Sequence, residues 1–197
     1  MARPRLIVAL SGASGVVLGI RALQMLRSLS VETHLVMTRA AELTVTYETP
    51  MKLAEVHALA DHVWRHDDIG APIASGTFRT QGMLVAPCSI RSLSEIATGV
   101  TAGLLSRAAD VVLKERRRLV LAVRETPYHL GHLRTMAAVT EMGAIVAPPV
   151  PAFYARPRTV EDLVDQMTGR LIELCGIEVP QLERWGETIP RTRPPAD

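Results

Sequence analysis

The sequence predicts a single three-layer α/β domain with a mostly parallel sheet, and three features predict it. Short apolar runs alternate with helical stretches of about 10 to 15 residues. The runs are apolar throughout rather than at every second residue, as strands covered on both faces require. Each run ends in small or polar residues, and in an open α/β sheet it is the carboxyl ends of the strands that receive ligands. With 197 residues, 48% of them apolar, the chain can bury such a core without disulfides or metals.

The elements follow in order. Residues 5–11 (RLIVALS) form a first strand, and the turn at 12–15 (GASG) releases the chain into a helix over 16–29. Arg21, Gln24 and Ser28 leave one polar stripe on that helix, so its other faces pack on a sheet. Residues 32–38 (ETHLVMT) make a second strand; 40–47 and 51–59 are helical, with Pro50 breaking between them. A strand at 81–87 (QGMLVAP) runs into Cys88-Ser89 and a helix near 93–98. A helix at 104–116, a strand at 119–123, a helix at 130–142, a short strand at 144–146 and a long helix at 159–175 complete the set. Segments 70–82 and 148–157 are rich in Gly, Pro or Ser and read as loops. The domain is expected to fill 1–187, leaving 188–197, with Pro190, Pro194 and Pro195, as a disordered tail or an arm onto a neighbouring subunit.

Composition excludes several functions. A net charge of +2 without a long run of one sign demands neither nucleic acid nor an acidic membrane. The 2 cysteines, Cys88 and Cys175, cannot build a disulfide framework and fit a reducing compartment. No apolar run approaches the roughly 20 residues of a membrane-spanning helix. Arg3 and Arg5 resemble a secretory leader, yet the apolar run after them stops at Ser11 without a cleavage site, so a cytoplasmic location is expected.

The candidate chemistry lies just after the strands. In Ser11-Gly12-Ala13-Ser14-Gly15, small residues let backbone N–H groups approach a ligand at a helix amino terminus, which favours negative charge. The spacing is neither G-x-G-x-x-G nor a P-loop, which weakens dinucleotide and nucleotide readings and leaves a phosphate or a flavin edge. Ser89, Ile90, Arg91 and Ser92 offer a second such turn, where Ser89 also suits a plain helix cap. Arg124 and Glu125 set a guanidinium beside a carboxylate at a third strand end. Arg107 and Lys114, seven apart on one helix and about 10 Å along its axis, could grip a phosphate, or could form an ion-pair ladder with Asp110 between them. Lys52 and Lys114 are the only lysines among 22 basic residues, which suggests a role for a compact charge at 114. Of the 6 histidines, His57, His62 and His66 make one group and His129 and His132 another, neither joined by a convincing carboxylate or cysteine, so no metal site is expected. Asp67-Asp68 lacks the further aspartate of a magnesium-diphosphate box. Cys88 reads as an inert buried thiol.

Taken together, the segments SGASG (11–15), HLVMTRAA (34–41), YET (47–49), ASGTF (74–78), PCSIRSLS (87–94), LLSRAADVVLKERR (104–117), VRETPYHLGHLR (123–134), PPVPAFYARP (148–157) and LERW (182–185) resemble the UbiX-type flavin prenyltransferases, in that family's order. The resemblance implies a flavodoxin-like (Rossmann-like) fold assembled as a homododecamer. It implies two substrates, reduced FMN and dimethylallyl monophosphate, joined without a metal at flavin N5 and C6. The product, prenylated FMN, would serve a UbiD-type decarboxylase.

The resemblance also implies roles. Gly12, Ala13, Ser14, Thr38, Ser89, Ile90, Arg91, Ser92 and Arg124 match flavin-binding positions. Arg107, Lys114, Tyr154 and Arg170 match the cationic and hydrogen-bonding wall around the prenyl phosphate, and Trp185 an aromatic lining the prenyl pocket. Ser14, Glu48, Glu125 and Lys114 match positions implicated in the chemistry. Thr38 stands where a flavin-contacting Ser is usual, and Ile69 stands in the region where some members carry Trp. Two other readings are weighed: a flavin-dependent cysteine decarboxylase, suggested by ASGTF, and a non-catalytic FMN carrier for a decarboxylase.

Overall fold

The computed structural model describes residues 3–189. Six parallel strands form one sheet in the order β3-β2-β1-β4-β5-β6. They are β1 (Arg5–Leu10), β2 (Glu32–Met37), β3 (His62–Trp64), β4 (Gly82–Cys88), β5 (Arg118–Val123) and β6 (Ile145–Val146). With the three-residue edge strand β3 set aside, the rest run in the flavodoxin-like 2-1-3-4-5 order. The sheet is wholly parallel, beyond the mostly parallel one expected.

Among the described residues seven helices cover it: α1 (Val16–Ser28), α2 (Arg39–Glu48), α3 (Leu53–His57), α4 (Ile90–Thr98), α5 (Leu104–Lys114), α6 (Leu130–Glu141) and α7 (Val160–Leu174). Strand alternation sorts the core into two layers. Leu6, Val8 and Leu10 of β1 face one layer with Leu23 of α1, Val45 of α2 and Ile172 of α7. Ile7 and Ala9 face the other, with Leu93 of α4, Ala108 of α5 and Val139 of α6. α7 and α5 therefore lie on opposite faces of the sheet. β3 escapes the sequence pattern because three residues, two of them exposed, carry no period. The loop expected at 70–82 holds a 3-10 turn (Pro72–Ala74). Of the expected tail, only residues 188–189 lie within the described residues, and they close a turn through a Trp185–Ile189 bridge.

Local capping explains where the helices begin. Thr38 Oγ1 accepts from the Ala41 N–H at 3.1 Å, and Ser89 Oγ from Ser92 N–H at 3.2 Å. Gly15, at φ 98°, starts α1 in the left-handed region that glycine enters without steric cost. No described helix is long and apolar enough to cross a membrane.

Candidate active site

The strand ends are laced together where the crossovers change face. The Ser11 hydroxyl is buried and donates to Pro87 O at 2.8 Å, while Ser89 N–H donates back to it at 2.7 Å. Thr38 N–H reaches Leu10 O at 3.0 Å, and Arg124 N–H reaches Cys88 O at 3.0 Å. Above this floor opens a crevice of about 640 Å³ lined by Gly12, Thr38, Ser89–Ser92 and Glu125, within the size range of cofactor sites. At Gly12 a Cβ would overlap the Ala40 Cβ on α2, so the floor tolerates only a bare backbone there.

The rim is charged. Arg39, His66, Asp67 and Glu95 join it. Asp67 pairs with Arg65 at 2.9 Å, and that hydrogen bond, with Arg39 adding to it, holds its carboxyl below the usual range. Among the described residues the Nδ1 of His66 is buried without a hydrogen-bond partner. A planar tricycle with a polar edge fits a crevice whose floor is small residues and hydroxyls and whose rim alternates charge. Cys88, beneath it, has its thiol pushed up to about 12 by burial, as an inert core residue would.

Two predicted residues beside the crevice do something more local than expected. The Glu48 carboxylate accepts from the Gly15 and Val16 N–H groups at 2.8 and 3.2 Å. The anion expected at the α1 amino terminus is thus supplied by the chain itself, a favourable use of the helix dipole. Ser14 is exposed, and Ala13 lies in the same turn through Ala13 N–H to Ser11 O at 2.8 Å. Arg124 is exposed at the end of β5, one residue from Glu125, whose Oε1 accepts from the Thr126 N–H at 2.9 Å.

A second depression, a groove of about 480 Å³, gathers Tyr154, Arg170 and Trp185. The two aromatic rings meet edge to face at 5.7 Å. Arg107 and Lys114 line neither cavity. Both sit on α5, across the sheet from Arg170 on α7, so one chain does not bring the expected phosphate wall together. Arg107 pairs with Asp110 at 2.7 Å, but Lys114 turns to Glu115 at 2.6 Å rather than completing the ladder with Asp110.

The histidines are regrouped. Among the described residues the one cluster of ligand-type side chains is Glu32, His34 and His62, on β2 and β3 at the sheet edge. His34 Nε2 lies 3.1 Å from Glu32 Oε1, and the Trp64 indole N–H donates to His34 Nδ1 at 3.2 Å. Indole can only donate, so His34 Nδ1 holds no proton, and coordination through Nε2 would require an imidazolate. Glu32 is further engaged by Arg5 at 3.0 Å. The cluster reads as a hydrogen-bonded edge.

Arg39 was not singled out in the sequence, and His66 and Asp67 were weighed there only as a metal ligand and as half of an acidic pair. Arg39 follows β2 directly and obeys the strand-end rule that found the others. His66-Asp67 follows β3, whose brevity hid the signal.

Comparison with known proteins agrees with this geometry. The Flavoprotein family profile matches residues 1–172. The chain is 54% identical over 184 residues to the flavin prenyltransferase UbiX of Escherichia coli strain K12, covering 92% of this chain and 97% of that one. It superposes with a TM-score of 0.92 and 51% identity on the crystal structure of AnUbiX (PadA1) in complex with FMN and dimethylallyl pyrophosphate, covering 93% and 98% of the two chains. It superposes with a TM-score of 0.89 and 48% identity on a dodecameric FMN-dependent UbiX-like decarboxylase from Escherichia coli O157:H7, covering 92% and 98%.

Proposed function

The chain belongs to the UbiX flavin prenyltransferase family, and from that premise we infer that it joins a dimethylallyl group to reduced FMN. The convergence of Gly12, Thr38, Ser89–Ser92 and Glu125 on one crevice carries the reading. FMN is the acceptor substrate there, with Ala13, Ser14 and Arg124 at its margin. Dimethylallyl monophosphate is the donor, the new bonds form at flavin N5 and C6, and the product serves a UbiD-type decarboxylase. Reduced flavin and two free thiols accord with a cytoplasmic setting.

The donor site is completed between copies. Tyr154, Arg170 and Trp185 of one chain and Lys114 and Arg107 of another would form one wall, in a homododecamer of the kind its Escherichia coli relative forms. The surface supports such assembly: α6 buries only Val139 and leaves Leu130 and Leu133 at least half exposed, while Val150 and Phe153 are each 72% exposed.

The chemistry follows from those groups. The allylic C–O bond breaks with its electron pair passing to the phosphate, whose charge Lys114, Arg107, Arg170 and the Tyr154 hydroxyl neutralise in place of a metal. Tyr154 and Trp185 face the allylic cation through their ring faces. Flavin N5 supplies the pair for the new C–N bond and gives up its proton; closure then takes a proton onto the remaining prenyl double bond, C6 attacks the tertiary cation so formed, and the C6 proton leaves, with Glu125 as the acid and base of that exchange and Ser14 as relay. Glu48 holds the turn that presents Ser14.

A cysteine decarboxylase would need a catalytic histidine early in the chain, and the first, His34, is buried in β2 and bonded to Trp64. An FMN carrier would have no use for the aromatic and cationic groove. Anaerobic incubation with reduced FMN and dimethylallyl monophosphate tests the reading: a flavin heavier by one prenyl group supports it, and recovery of FMN alone from folded protein supports the carrier.

A further inference from the structure

The groove that receives the donor phosphate contains an acidic excess, and this asks for a reason. Glu173, Glu183 and Glu187 line it against Arg170 and Arg184. Glu187 is 73% exposed, where water screens its charge, and the Glu183 carboxylate accepts from the Thr188 hydroxyl at 2.7 Å. Glu173 differs: its side chain is only 16% exposed.

Its two oxygens are engaged unequally. One takes a short hydrogen bond from the Arg184 guanidinium; the other lies 3.7 Å from Arg170 Nη1. Arg184 is committed to the fold, because it also donates to Val179 O at 3.2 Å and Leu182 O at 3.4 Å. Arg170 is 64% exposed and, among the described residues, makes only the long contact with Glu173. An arriving phosphate can therefore draw Arg170 away without stranding the Glu173 charge, which Arg184 still neutralises. Held by Arg184, the Glu173 carboxylate cancels a positive charge that the groove would otherwise present to the donor, and the attraction forgone grows with each charge the donor carries.

We infer that Glu173 is a specificity-determining residue that favours the allylic monophosphate over the diphosphate. The inference rests on the prenyltransferase reading and adds a determinant within that site. A charge-neutral replacement relieves the diphosphate more than the monophosphate.

The test is the ratio of kcat/KM for dimethylallyl monophosphate to that for dimethylallyl diphosphate, measured anaerobically on the assembled enzyme with saturating reduced FMN. Glu173→Gln, whose amide oxygen still accepts from Arg184, should narrow the preference about tenfold, mainly through KM for the diphosphate. Glu173→Asp, which keeps the charge, should stay within about twofold of the parent. Glu173→Ser, which leaves room for water on Arg184, is the second neutral variant should the first not assemble. A purely structural role would lower both substrates' turnover alike and leave the ratio unmoved, and that result overturns the inference. No prenylated flavin from the parent enzyme with either donor would overturn the underlying reading instead.

Discussion

The crevice at the carboxyl ends of the strands gathers Gly12, Thr38, Ser89–Ser92 and Glu125 within one chain, whereas the groove beside α7 finds its expected cationic partners across the sheet. The difference teaches that the two substrates are held on different terms. The crevice proposed for the flavin follows from topology, since β1, β2, β4 and β5 all end there. On the reading proposed above, the phosphate site needs a second copy, because no side chain on α5 can pass through a sheet to reach α7.

Four perturbations break or sharpen that contrast. Lys114→Ala and Arg170→Ala, on opposite faces, should each lower prenyl transfer by about 10² to 10³ while leaving FMN affinity nearly unchanged; isothermal titration and turnover assays read the two effects separately. Glu125→Gln belongs to the crevice, and its loss should fall on ring closure. It should slow formation of the ringed product by about 10², with flavin alkylated at one position accumulating, as NMR of the extracted flavin would reveal. Normal ring closure would remove Glu125 from the proton step.

Gly12→Ala should do the reverse of the phosphate-wall variants. The new Cβ forces α2 away from the floor, so FMN affinity should drop about tenfold while donor KM at saturating FMN holds. The smallest effect lies outside both regions and supplies a baseline. Burial first, then His62 beside it, lowers the pKa of His34 below 6.5. Below pH 6.5 the unfolded chain takes up a proton that folded His34 refuses, so stability is full above that pH and declines as the pH falls. Between 6.5 and the onset of glutamate titration near 4.5, His34→Gln should flatten the denaturant-midpoint profile, with the flavin and donor constants unaffected.

Much of this was legible in the residues themselves. The continuous apolar runs and the polar strand ends locate β1, β2, β4 and β5 and the crevice, because burial on both faces imposes composition on a strand. β3 was not legible, nor was the place of His66 and Asp67 at the crevice rim, since an edge strand of three residues is held by pairing with β2 rather than by pattern. Glu48 was placed at the site by resemblance, but its grip on the α1 amino terminus depends on α2 folding back over α1, a tertiary contact no spacing reports. The pairing of Lys114 with Glu115 rather than Asp110 likewise turns on rotamers. Above all, Arg107 and Lys114 share a helix face in the sequence, yet only the layer order reveals that Arg170 lies behind the sheet from them.

The account stands on a phosphate wall built by neighbouring copies, and mixed assemblies test it most directly. Lys114→Ala and Arg170→Ala chains, each inactive alone, are co-expressed at equal amounts and purified as one oligomer. Random mixing should restore prenyl transfer to about a quarter of the parent level, because about one site in four then draws both intact residues from different subunits. Activity no higher than that of the separate variants, from a verified mixed oligomer, would contradict the account, since a wall built within one chain can never be whole in such a mixture.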